Sequence, residues 1–298
     1  MSCDLPRIVV AKARRAPGGE AWLQDLPARV AALAGRWALR IGEPLTGGTA
    51  AWVARVERAD GTPAVLKLPV PDPGNHLTTR TLLAAGGDGY VRVLGHDGDD
   101  LLLEHLGPAL HRSGFPARRQ LRILAGLLPH AWRAGGDPVD PVDKAAGLAT
   151  FITGLLDGPA DAVTAKALQF ADRRSRAFRP EAALVLHGDA APSNALLVPG
   201  RAAEALFVDP DGFTGDPAYD CGVALRDWSR ELLATSRPAD LLRNWCLDVA
   251  AGAGQDPQAV WEWAFLERVS TGLYVRSLGA GDLAGPFLDS AHRLLPDV

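Results

Sequence analysis

The sequence predicts an α+β protein, with an antiparallel sheet in its first third and a mostly helical remainder. Three observations lead there. Between residues 38 and 104 apolar side chains come in short runs of strand length, separated by turn residues. From Pro116 onward they recur at helical intervals instead. Within the helical part, residues 184–222 break the pattern with three short apolar runs, each giving way to a polar residue. The change of period places a boundary near Gly107, which divides the chain into an N-terminal lobe, 1–106, and a C-terminal lobe, 107–298.

Residues 1–20 are rich in Arg, Pro and Gly and read as a poorly ordered leader. From 20 to 37, Trp22, Leu23, Leu26, Val30, Leu33 and Trp37 recur as one face of a helix. Residues 51–57 and 64–68 read as strands joined through Ala59-Asp60-Gly61-Thr62, a hairpin signal. Residues 76–83 suit a short helix. Strands over 90–94 and 101–104 flank a Gly98-Asp99-Asp100 turn. Helices are predicted over 117–132, 142–156, 161–178, 239–251, 257–278 and 283–295. Another opens at Pro217 with Asp216 in the cap position.

The chemistry concentrates in 184–222. The run Ala183-Leu184-Val185-Leu186 stops at His187-Gly188-Asp189, Asn194 heads the next run, and a third ends on Asp209. Polar side chains where strands give way to loops are held on a rigid frame. Their types suit phosphoryl transfer, which needs a carboxylate to accept or orient the attacking hydroxyl and oxygen ligands to hold Mg²⁺ against phosphates. Asp189 and Asn194 have the D-x-x-x-x-N spacing of a kinase catalytic loop, and Asp209 stands in the later metal-binding slot. Asp189 is therefore the candidate catalytic residue, with Asn194 and Asp209 as candidate metal ligands. Six fixed residues in H-G-D-x-x-x-x-N…D-P make a chance match on the order of one in ten million positions. The plain alternative is a cluster of strand-end caps and turns. His187 reads as a packing and hydrogen-bonding residue of the loop.

Upstream, Ala64-Val65-Leu66-Lys67 is like the strand whose lysine pairs the α- and β-phosphates. Before it, the small residues Gly47, Gly48 and Thr49 would let backbone N–H groups approach those phosphates. A lone lysine among apolar neighbours can also simply snorkel to water. Kinases pair this lysine with a Glu on the next helix, yet no Glu occurs between Lys67 and Glu104. Either Asp209 and the phosphates hold Lys67, or a more distant carboxylate does. Glu104, His105 and Leu106 fall where a kinase linker would bond adenine through its backbone, an assignment that rests on order along the chain.

The segments HGDAAPSN and VDPDGFTGDPAYD resemble the aminoglycoside phosphotransferase family, and within it the streptomycin 6-kinase and hydroxyurea phosphotransferase branch. The resemblance runs from about Ala21 to the C-terminal helices. It implies a bilobal, protein-kinase-like fold with ATP and Mg²⁺ between the lobes, and a small cationic acceptor such as streptomycin. It also implies that Asp216 and Asp220 brace the catalytic loop. The family's substrate surface lies on C-terminal helices, so Glu231, Glu262 and Glu267 are candidates for binding guanidinium groups. Their plain reading is exposed helix charge. Many relatives have a His two residues past the catalytic Asp. Here that residue is Ala191.

Composition agrees with this class and narrows the partners. The 298 residues carry a net charge of −4, which gives no general affinity for nucleic acid. Residues 201–298 hold eight Arg, no Lys and fifteen acids, a net −7 that would attract a cationic substrate. Three cysteines without metal or redox spacing suggest a reducing compartment. No apolar run approaches membrane-spanning length, so a cytoplasmic protein with no membrane or obligate protein partner is expected. Two other classes fit the residues less fully. One is a nucleotide-binding protein without turnover, which the missing Glu would allow. The other is a metal-dependent hydrolase, for which a second His–Asp cluster is lacking.

Overall fold

The computed structural model describes residues 5–45, 48–201 and 203–297. Five strands, β1 (Arg40–Pro44), β2 (Ala51–Glu57), β3 (Pro63–Pro69), β4 (Val93–Asp97) and β5 (Asp100–Glu104), form one antiparallel sheet in the order β1-β2-β3-β5-β4. Along β2 and β3 every second residue faces one core: Trp52, Ala54 and Val56 from the first, Ala64, Leu66 and Leu68 from the second. This is the alternation that pleating imposes on a sheet with two different faces. The intervening residues, Val53, Arg55 and Lys67 among them, face the other way, towards the cleft described below.

Two helices cover the first face. Helix α2 (Gly19–Arg36) buries Trp22, Leu26, Val30 and Leu33 there. Helix α1 (Arg7–Arg15) lies where the composition suggests a disordered leader. Its Val9 and Ala13, one turn apart, are wholly buried in the same core. Four arginines and lysines disguise a helix that docks by only two small apolar side chains.

Helix α3 (Asn75–Ala85) connects β3 to β4. Below the sheet lie α4 (Ala117–Ala134), α5 (Lys144–Gly154), α6 (Ala162–Ala177), α7 (Ala218–Ala224), α8 (Ser229–Ala234), α9 (Pro238–Ala253), α10 (Pro257–Ser277) and α11 (Gly281–Leu294). Asp143, Asp161 and Asp256 cap α5, α6 and α10 by accepting backbone N–H groups of the first turn. Helix α10 is central and buried on nearly all sides, with Trp263, Phe265, Leu266 and Val269 inside. The helical core is continuous with the lower face of the sheet, because Leu101 and Leu103 of β5 join it while Leu102 joins the upper core. Cys221 on α7 and Cys246 on α9 are free and buried in it.

Two ladders of two or three residues interrupt the helices and frame the site. Strand β6 (Leu184–Val185) pairs with β9 (Thr214–Gly215), and β7 (Ala195–Leu197) pairs with β8 (Ala205–Phe207). The linker after β5 is stitched to this frame. Gly107 N–H donates to Leu197 O, and Leu197 N–H to Pro108 O, at 2.8 and 3.0 Å. The predicted elements are present with ends moved by a few residues. The strand expected over 90–94 starts only at Val93, because Tyr90 bridges to Phe207 instead, and α1, α8, β1 and β9 are added.

Candidate active site

Asp189 and Asn194 lie on the loop between β6 and β7, and Asp209 two residues beyond β8. The loop is held from beneath by Asp220 of α7. Its buried carboxylate accepts the N–H groups of His187 (2.9 Å), Gly188 (2.8 Å) and the Trp132 indole (2.9 Å). Burial pushes the Asp220 carboxyl up, against the pull of these donors and of His187. Asp216 stands one residue before Pro217, the N-cap of α7, where it accepts Ala218 N–H and takes the Trp263 indole N–H at 2.9 Å. Asp220 thus braces the loop, while Asp216 ties the start of α7 to α10. His187 is fully buried, stacked near Tyr90 and Phe207. One ring nitrogen accepts Asp189 N–H and the other donates to Val208 O, so neither faces a substrate. Ala191 is also fully buried, its N–H bonded to Asp189 O.

Gly188 has φ +85°, and a Cβ there would lie 2.6 Å from Cβ of Asp211. Only glycine fits both the left-handed backbone and that approach. Asp209 itself sits at φ +57°, a conformation that non-glycine residues seldom adopt and that clusters at functional sites.

Around this frame the polar side chains converge. Asn194 Nδ2 donates to Asp189 Oδ2 (2.8 Å) and to Asp189 O (2.9 Å), which fixes the amide with its carbonyl oxygen left as an acceptor. Lys67 Nζ meets Asp209 Oδ1 at 2.6 Å across the gap between the sheet and the helical part. That contact answers the missing Glu: α3 sends no carboxylate to Lys67. Its Thr78 hydroxyl instead donates to Pro210 O (2.6 Å) and ties α3 to the Asp209 segment.

Gly48, Thr49, Lys67, His105, Leu106, Asp189, Asn194 and Asp209 all line one cleft of about 1260 Å³. Gly47 lies outside the described residues. Glu104 does not line the cleft. It closes β5, and its carboxylate accepts Arg92 N–H at 2.7 Å. Of the three C-terminal glutamates, Glu231 is exposed on α8. Glu262 is buried between Arg173 and Arg174 of α6, at 3.1 and 2.6 Å. Glu267 is buried against Arg226 at 3.5 Å.

Two residues that no motif announced complete the site. Arg226, just past α7, donates to Asp189 Oδ1 at 2.9 Å and reaches Asp227 and Glu267 with its other nitrogens. Burial alone would raise the Asp189 carboxyl, but the Arg226 guanidinium, with His187 and the Asn194 amide, outweighs it and holds the group below the usual Asp range. Asp211 lines the cleft two residues after Asp209, and there the balance is reversed. Burial and the neighbouring Asp189 push its carboxyl up. Among the described residues no group of three or more His, Cys, Asp or Glu forms a ready metal cage. The Asn194 carbonyl oxygen and the second Asp209 oxygen, both on the cleft, could instead supply two hard oxygen ligands. That suits Mg²⁺, which keeps several waters and takes its other ligands from phosphate.

Comparison with known proteins shows the family and the fold. The model of the family described as "Aminoglycoside/hydroxyurea antibiotic resistance kinase" matches residues 36–279. A hydroxyurea phosphotransferase of Kitasatospora aureofaciens is 36% identical over 221 residues, 70% of this chain and 63% of the relative. A streptomycin 6-kinase of Streptomyces griseus is 34% identical over 222 residues, 71% of each. The aligned stretch thus spans less than two thirds of the hydroxyurea enzyme. Among solved structures, LicA, the choline kinase of Streptococcus pneumoniae, superposes in its complex with AMP with a TM-score of 0.57 at 13% identity. The match covers 92% of this chain and 97% of the kinase, a likeness of fold.

Proposed function

The chain belongs to the aminoglycoside/hydroxyurea antibiotic resistance kinase family, and from that premise we propose that it transfers the γ-phosphoryl group of ATP to a hydroxyl of a small polar molecule. The observation that carries this reading is the convergence of Asp189, Asn194, Asp209 and Lys67, three of them from the loops of the small ladders and one from the sheet, on a single cleft. Residues 1–106 serve as the nucleotide-binding lobe and 107–298 as the catalytic and substrate-binding lobe. The linker backbone at His105 and Leu106 takes the base, and Lys67 with the Gly48–Thr49 loop takes the phosphates. The AMP bound by the choline kinase of the same fold supports an adenine nucleotide.

Asp189 orients the acceptor hydroxyl. The hydroxyl oxygen forms a bond to the γ-phosphorus as the bond to the β-phosphate oxygen breaks, ADP leaves with that electron pair, and the hydroxyl proton passes to the carboxylate. A depressed pKa keeps Asp189 ionised at neutral pH and makes it a weak base, which fits a loose transition state where the proton moves late. Asn194 and Asp209 would hold Mg²⁺, which when bound neutralises phosphate charge. ATP as donor and sparse free cysteines are those of a cytoplasmic enzyme. No helix among the described residues is long and apolar enough to cross a membrane.

Streptomycin is the leading acceptor. Asp189, Asp227 and Glu267 stand around a single arginine, with Asp211 close to Asp189, and this excess of carboxylate favours a guanidinium-bearing substrate. Hydroxyurea is the second reading, favoured by the relative at 36% identity. ADP release with ATP, Mg²⁺ and separate acceptors distinguishes them. Streptomycin-dependent turnover supports the first reading, and turnover only with hydroxyurea supports the second. Release with neither removes both. Asp189→Asn is expected to lower kcat by about a thousandfold or more while ATP still binds. Wild-type kcat in that variant would take Asp189 out of the reaction.

A further inference from the structure

We propose that helix α1 is part of the nucleotide site and that Lys12 supplies a second cation to the phosphate tail, an inference that rests on the ATP reading above. Lys12 lines the same cleft as Gly48, Thr49 and Lys67. It does so from a helix that precedes residue 36, where the family match begins. Lys12 is one of only four lysines in the chain, and two of the four face this cleft.

The helix is firmly placed. Val9 and Ala13 are wholly buried in the upper core of the sheet. The backbone of α2 closes against α1 so tightly that a Cβ on Gly19 would fall 1.8 Å from Ala13 O. Lys12 stands one position before Ala13, with its side chain exposed. Among the described residues its ammonium has neither ion pair nor hydrogen bond, whereas Lys67 is already engaged by Asp209.

Charge balance gives that free ammonium a task. The cleft is lined by Asp72, Asp189, Asp209 and Asp211. The cations Arg55 and Arg112 stand with His105 and His111 at the linker end. A triphosphate with only Lys67 beside it would meet a net acidic wall. A lysine is a point charge on a flexible stem, able to follow phosphate oxygens without a preset geometry. Lys12 also sits in the last turn of α1, where a cation favours the helix dipole. That role alone would not respond to nucleotide.

Binding of ATP, ADP and AMP, each with Mg²⁺, to wild type, Lys12→Met and Lys12→Arg measures the effect by calorimetry. The methionine variant should bind ATP about tenfold more weakly, a charge-assisted contact discounted for exposure. It should bind ADP with a smaller loss and AMP as the wild type does, while Lys12→Arg recovers most of the affinity. The unfolding midpoint without nucleotide should fall only slightly, because the side chain is exposed and only its helix-end charge is lost. ATP affinity unchanged in Lys12→Met overturns the proposal and leaves the kinase reading intact, and so does an equal loss for all three nucleotides. A wild-type protein that binds no adenine nucleotide overturns the ATP reading itself and this proposal with it.

Discussion

The Asp189 carboxylate gives one oxygen to Arg226 and the other to Asn194, while its side chain remains 40% exposed to the cleft. Its ionised form is therefore preferred in the folded protein. A carboxyl with a depressed pKa keeps its pairing from neutral pH down through the ordinary Asp range, and loses it only as the pH falls through the lower folded value. Removing Arg226 leaves burial opposed only by His187 and the Asn194 amide, and so raises the carboxyl. Arg226→Gln should move the acid limb of kcat/KM to higher pH and cost about 3–5 kcal/mol of stability, since Glu267 and Asp227 also lose their partner. Arg226→Lys keeps the charge and should leave the limb nearer its wild-type position. A pH–rate profile of Arg226→Gln that overlays the wild type would detach Arg226 from Asp189. At this scale the sequence showed Asp189, Asn194, Asp209 and Lys67, because loop chemistry fixes their spacing from the strands around them. It hid Arg226, which sits in a plain Arg-Asp-Trp and reaches Asp189 only after α7 turns the chain back. It left the partner of Lys67 open between Asp209 and a distant carboxylate, a choice that needed the lobes brought together.

Element by element, the helices and the central hairpin could be read because each buries one periodic face. The N-terminal helix could not, since α1 shows too little apolar surface to be told from a basic tail. Its placement depends on the close approach of α1 and α2 at Gly19. A methyl group there meets backbone and not a movable side chain, so Gly19→Ala should force the helices apart. We expect a loss of about 2–3 kcal/mol in urea unfolding, typical of overpacking a tight contact, and faster proteolysis at Arg14 and Arg15. An unchanged midpoint would show that α1 is held by Val9 and Ala13 alone. The three glutamates chosen on helical position illustrate the reverse failure. Period and sign cannot tell a substrate-facing carboxylate from Glu262, which is 2% exposed and sealed by two arginines of α6.

Over the whole molecule, the sheet and the helices are not two separate cores. Strand β5 is buried on both faces, and the linker at Gly107 is hydrogen-bonded to β7 on the far side of the cleft. The two parts should therefore lose structure together. Cys221 and Cys246, 0% and 2% exposed, lie inside that common core, where burial raises both thiols well above their ordinary range. Shielded and un-ionised, they become a built-in clock. In a Cys3→Ser background a thiol-exchange reagent has nothing to modify until the interior opens, so both sites should react at one shared rate. Saturating ATP with Mg²⁺ should slow that rate by about a hundredfold at a hundred times its Kd. Independent rates at the two thiols would mean that the helices open piecemeal. The same reagent, used without any acceptor, would then report nucleotide affinity for every variant named above.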